Sequence, residues 1–193
     1  MAWVAVDRAI RLARARRLPA DLDGWSVLRR AIRRQVEQAG TDPATGAFVQ
    51  AFGGRALDAS NLLVPLVRFL PPDDPRVRAT VARTASELAP DGLVHRYLDG
   101  GDGLPAGEAT FVICSFWLVE NLALAGQTGQ AAALFERLLG HANDLGLLAE
   151  EVDPASGELL GNFPQAFSHV GLIGAAMNLQ RGGRLAAALS DNR

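Results

Sequence analysis

The stretch Phe111-Val112-Ile113-Cys114-Ser115-Phe116-Trp117-Leu118-Val119 decides the fold. Read over 108–125 it keeps helical length but has no polar face. A helix that is apolar on every side is expected to be buried on every side. Working outward, two more segments share this character: 58–70 (Leu62, Leu63, Val64, Leu66, Val67, Phe69) and 165–180 (Val170, Leu172, Ile173, Ala175, Ala176, Met177). Between them lie helices of the other kind. Those at about 23–38, 74–89 and 128–142 carry one apolar stripe and one Arg/Glu-rich face, as an outer layer requires. A further helix is expected over 2–16. Asp58 is placed to cap the 58–70 helix, and Asp74-Pro75 gives an Asp N-cap with proline at the first helical position. Pro65 should kink the 58–70 helix or delay its start.

The connections alternate with the helices. After an all-apolar helix the link is short: Pro71-Pro72-Asp73, then Gly126-Gln127. After an amphipathic helix it is long: 39–57, 90–107 and 143–164. If inner and outer helices alternate antiparallel, every long loop emerges at one end, which is the expected working face. The long loops also resemble one another. Gly46-Ala47-Phe48-Val49-Gln50, Gly92-Leu93-Val94-His95-Arg96 and Gly146-Leu147-Leu148-Ala149-Glu150 recur at intervals of about 50 residues, within the range of repeat architectures. Each has a glycine turn, mostly apolar residues, then a polar side chain. Gln50, Arg96 and Glu150 therefore fall at equivalent points. The expected fold is all-α: seven helices in inner and outer layers that close part of a ring.

Composition narrows the function. The chain has 193 residues, 49% hydrophobic and 21% charged, with a net charge of −2. These values suit a single folded domain and show no basic excess of the kind a nucleic-acid binder carries. All basic residues are Arg. The clusters Arg11, Arg14, Arg16, Arg17 and Arg29, Arg30, Arg33, Arg34 read as solvated helix faces. No apolar run reaches the length of a membrane span. The start of the chain is apolar first and basic second, the reverse of a signal peptide. Cys114 is alone, which fits a reducing, cytoplasmic compartment. His95, His141 and His169 have no metal-ligand spacing. No metal or cofactor is expected.

Four segments carry a family resemblance: Met1-Ala2-Trp3-Val4-Ala5-Val6-Asp7-Arg8-Ala9; Phe48-Val49-Gln50 with Leu57-Asp58-Ala59-Ser60; Asp102-Gly103-Leu104-Pro105-Ala106-Gly107-Glu108 leading into Cys114-Ser115-Phe116-Trp117-Leu118-Val119; and Leu147-Leu148-Ala149-Glu150-Glu151-Val152-Asp153-Pro154 with Gly161-Asn162-Phe163-Pro164-Gln165-Ala166-Phe167-Ser168-His169. Together they resemble the bacterial branch of family-15 glycoside hydrolases, the glucoamylases, glucodextranases and trehalases. The resemblance implies a partial (α/α)6 toroid, with residues 1–180 as the C-terminal half of the catalytic domain and 181–193 as a disordered tail. It also implies an inverting mechanism on an oligosaccharide or disaccharide. There, an acid protonates the leaving oxygen and a base activates water from the opposite face, the two carboxyls standing about 6.5–9.5 Å apart.

Position by position, Glu150 matches the family's general base, and Ser168 matches a serine that hydrogen-bonds it. Glu151, adjacent in an extended segment, points to the opposite face and is not the second catalytic carboxyl; it packs behind Glu150 or binds an arginine. The family's general acid lies in a Trp-Glu-x-Arg segment upstream of the part that Trp3 matches, so the chain is expected to be inactive alone. Glu108 suits sugar binding or loop structure. Gln50 and Arg96 read either as donors to sugar hydroxyls or as loop-stabilising groups. Trp3, Trp117, Cys114 and His169 read as core. The half-toroid is expected to leave inner helices bare, to be covered by a separately encoded N-terminal half or by self-association. The competing reading is a helical-repeat interaction module without catalysis.

Overall fold

Apolar periodicity becomes seven α-helices among the described residues. The computed structural model describes residues 1–98 and 109–190. The helices are α1 (Ala2–Arg16), α2 (Leu22–Ala39), α3 (Leu63–Leu66), α4 (Pro75–Arg83), α5 (Val112–Leu124), α6 (Thr128–Leu139) and α7 (Ala166–Ser190). They alternate in two layers. α3 lies against α5 and α5 along α7, while α2 packs on α1 and α6 on α5 and α7. This is a partial (α/α) toroid, as the sequence implied. No described helix is long and apolar enough to cross a membrane.

The inner layer is less regular than its hydropathy suggests. Where one helix was expected over 58–70, a 3-10 turn (Ala59–Leu62) leads into the single turn α3. Asp58 caps the 3-10 turn by accepting from the Ser60 amide at 2.7 Å. Pro65 has no N–H to return to the preceding turn, so the α-helix starts only at Leu63 with Pro65 in its first turn, the delayed start expected of this proline. Arg68, at φ 62°, then ends the segment, its amide donating to the Pro65 carbonyl. The 74–89 helix likewise divides. α4, capped by Asp74 with Pro75 at its first position, passes into a π-helical turn over Thr84–Leu88.

α5 is buried nearly all round, with Val112, Cys114, Phe116 and Val119 at its core. α7 is not, which corrects the expectation of burial on every side. It extends to Ser190, past the end near 180 read from the sequence, and so runs into the segment assigned to a tail. Its Phe167, Val170, Ile173 and Met177 are 49–67% exposed. These residues recur at helical spacing and form one bare apolar stripe. α5 and α6 cover the other flank, and no described element covers this one.

Candidate active site

The described parts of the long loops meet at one end, and the backbone stitches them together. The Ala59 amide donates to the Arg96 carbonyl at 2.9 Å, the Phe111 amide to Val94 at 2.9 Å, and the Val112 amide to Glu150 at 3.0 Å. A three-stranded antiparallel sheet continues the seam: β1 (Thr110–Phe111), β2 (Glu151–Val152) and β3 (Leu159–Leu160).

The threefold loop similarity is structural. Gly46, Gly92 and Gly146 all have positive φ, at 73°, 82° and 76°, a conformation that favours glycine. In each copy the residue two past the glycine turns its amide into the protein, where a helix side chain receives it. Phe48 donates to Thr80 Oγ1 on α4 at 2.9 Å, and Val94 to Ser115 Oγ on α5 at 2.9 Å. Leu148 donates to His169 Nε2 on α7 at 3.4 Å, with His169 Nδ1 2.8 Å from the Gln165 carbonyl. Thr80 passes the bond on to the Arg76 carbonyl of α4, and Ser115 to the Phe111 carbonyl at the N-cap of α5. A buried amide without a partner is expensive, so these side chains fix the height of each loop on its helix. His169, expected as a satisfied core histidine, has a partner at each ring nitrogen but is only half-buried. Nothing in the sequence marks Thr80, and Ser115 stands out only as part of a family segment.

Glu150 emerges from the third loop, half-buried. Its Oε2 accepts from the Asn162 backbone amide at 3.0 Å and from Asn162 Nδ2 at 2.6 Å. Its own amide donates to the Asn162 carbonyl at 3.0 Å. Oε1 has no hydrogen-bond partner among the described residues. One oxygen is therefore held and the other left available. The held oxygen lies against Gly161, where a Cβ would stand 2.9 Å from Glu150 Cβ and 3.0 Å from Oε2. Gly161 also has φ 73°, so glycine is required there twice over. Gly161 and Asn162 lie inside the family segment, and their signal in the sequence is a Gly-Asn pair a short loop after the carboxylate.

The other site residues fall as follows. Ser168 is fully buried, and its hydroxyl donates to the Ala149 carbonyl at 2.7 Å, not to the Glu150 carboxylate. Any orienting effect on Glu150 runs through the backbone. Glu151 sits in β2, paired with Phe111 and Leu160. Arg96 is engaged by Asp58, Nε to Oδ1 at 2.6 Å. That hydrogen bond raises its already high pKa further. The loop-stabilising reading of Arg96 thus has a concrete partner. Gln50 is exposed and lines two cavities, of about 130 and 300 Å³; Arg96 and Glu150 lie outside the lining of both. The larger also holds Ser60 and Asn61, whose Nδ2 is buried and unpartnered among the described residues. Glu108 lies outside the described residues.

Two ionisable groups of α5 are shifted by burial. Cys114 is 1% exposed, and burial pushes its thiol up to about 12. Glu120, on α5 facing α7, is pushed up to about 7 by burial, against the opposing effect of a 2.6 Å hydrogen bond from Asn178. No group of three or more metal-ligating side chains occurs among the described residues.

A half-ring of paired helices with a loop-borne, half-anchored carboxylate is the architecture of a helical-toroid glycosidase. The family model for glycosyl hydrolases family 15 matches residues 1–177, and the chain belongs to that family. It is 50% identical over 183 residues to a trehalase of Mycobacterium tuberculosis, a match covering 94% of this chain and 27% of the relative. To a trehalase of Thermoplasma acidophilum it is 40% identical over 180 residues, covering 93% and 31%. Among solved structures, a glycosidase variant in complex with glucose superposes with a TM-score of 0.74 at 27% identity, covering 89% of this chain and 48% of that one. The chain thus spans about a third or less of the length of these trehalases, and about half of the solved glycosidase.

Proposed function

We propose that this chain is the base-bearing half of the catalytic domain of an inverting α-glucosidase of the trehalase type, residues 1–180 forming that half. The observation that carries the reading is the Glu150 carboxylate, with Oε2 fixed by Asn162 and Oε1 left to accept. In inversion such a group takes a proton from water as that water attacks the anomeric carbon. A second carboxyl, about 6.5–9.5 Å away, protonates the departing oxygen. The resemblance assigns that second carboxyl to a Trp-Glu-x-Arg segment of the other half, so the isolated chain is inactive. Trehalose is the favoured substrate because the relatives of highest identity quoted above are trehalases. Gln50 and the cavity beside Ser60 and Asn61 supply polar contacts for a sugar. The bare stripe of α7 supports a separately supplied N-terminal half, or self-association, as the partner. The lone Cys114 supports a cytoplasmic location.

The test is glucose release from trehalose and from maltose. Purified chain is expected to release none. Mixed or co-expressed with the N-terminal half of a family-15 trehalase, it is expected to hydrolyse trehalose, and Glu150→Gln is expected to remove that activity. Turnover by the pure chain alone would overturn the claim of a missing acid.

A further inference from the structure

At the junction of α1, α2 and the turn after α3 lies a cavity of about 380 Å³ lined by Arg11, Arg29, Arg30, Arg33, Arg68 and Asp7, with Trp3. Its lining sets five guanidinium groups against one carboxylate. Three of the five are held in place. Asp7, 1% exposed, takes Arg11 at 2.7 Å and Arg29 at 2.8 Å, as well as Arg8 at 2.6 Å from outside the lining. Arg33 is fixed by Glu37 at 2.9 Å and stands 5.3 Å from the Phe69 ring centroid. The guanidinium groups of Arg30 and Arg68 have no hydrogen bond or ion pair among the described residues. Asp7 thus organises the charge without cancelling it, and two guanidinium forks are left unpaired at the rim.

A second cavity, of about 420 Å³, adjoins the first and shares Arg33 and Arg68 with it. The rest of its wall is Pro65, Phe69, Leu70, Pro71 and Pro72, an apolar shelf. Arginine forks match the terminal oxygens of a phosphate, and several forks around one volume suit a dianion better than a single carboxylate. An apolar shelf beside them gives the remainder of a ligand somewhere to lie, in the usual pattern of small-molecule sites. We propose that this paired cavity binds a small phosphomonoester, its phosphate among Arg29, Arg30, Arg33 and Arg68 and its organic part on the Phe69–Pro72 shelf. The site is separate from Glu150 and independent of the glycosidase reading.

The experiment is titration calorimetry on the 193-residue chain with phenyl phosphate, glucose 6-phosphate and inorganic phosphate. At least one ester is expected to bind saturably, about tenfold or more tighter than inorganic phosphate. Arg30→Gln and Arg68→Gly are each expected to weaken it about tenfold or more. Arg68→Gly retains the positive-φ turn, so it removes the guanidinium without disturbing the fold; unchanged thermal melts of both variants confirm this. Glu150→Gln is expected to leave ester binding intact. Absence of saturable ester binding, binding indifferent to both arginine variants, or inorganic phosphate binding as tightly as the esters would each overturn the assignment.

Discussion

Gly161 stands so close to Glu150 that a methyl group on it would fall 2.9 Å from Glu150 Cβ and 3.0 Å from Oε2. The loop after β3 therefore folds onto the carboxylate, with Asn162 supplying the two donors. Gly161→Ala should strain the positive-φ turn by about 1–2 kcal/mol and also displace the carboxylate. In enzyme complemented with an N-terminal half, trehalose hydrolysis should fall about 100-fold, the scale expected of a displacement near 1 Å. Steady-state kinetics showing kcat within twofold of the parent would disprove the positioning role of this glycine.

Ser115→Ala removes the side chain that receives the Val94 amide and leaves a buried donor unsatisfied. The expected loss is about 1–3 kcal/mol in urea unfolding. Thr80→Val, which strands the Phe48 amide in the same way, should behave alike. A pair of variants no less stable than the parent would show that the anchors are incidental.

Glu120 makes stability depend on pH in a fixed direction. Its folded pKa, about 7, lies above the ordinary carboxyl value of 4.5. The unfolded chain therefore gives up this proton first, and stability should fall as pH rises from about 4.5 to about 7, then level off. Glu120→Gln keeps an acceptor for Asn178 and removes the charge. Its melting temperature should match the parent near pH 4 and exceed it at pH 8. Equal melting temperatures at pH 8 would mean the carboxylate is not penalised by its surroundings.

The bare stripe of α7 should drive association. Light scattering after size exclusion is expected to find the chain as an oligomer. Val170→Gln combined with Ile173→Glu, both at exposed positions, should return a monomer. A monomeric parent would remove the case for a covering partner.

The two-layer architecture was legible because burial writes itself into hydropathy: α5 is apolar on all sides and α2, with no buried residue, is not. What failed at α7 failed for a physical reason. Its sequence records burial on every side, yet no described element lies over Phe167, Val170 and Ile173. The inner helix at 58–70 starts late, at Leu63, as Pro65 led one to expect, while its early end at Leu66 left no mark in the apolar pattern. At the site, the glycine repeat gave the correct loop register, since positive φ selects glycine in any setting. The anchors Thr80 and Asn162 were invisible, because a single polar residue does not say which distant amide it will meet. Ser168 shows the same limit from the other side: its place was matched, but its hydroxyl goes to the Ala149 carbonyl.

The single thiol of this chain has a practical consequence. Cys114 lies inside α5, the most enclosed helix, and holds its proton up to about 12. An alkylating reagent at neutral pH can reach it only when the helix leaves its neighbours. The rate at which that one atom is labelled thus becomes a clock for opening of the half-ring. The same clock, run with and without an added N-terminal half, would report how far ring closure slows that opening.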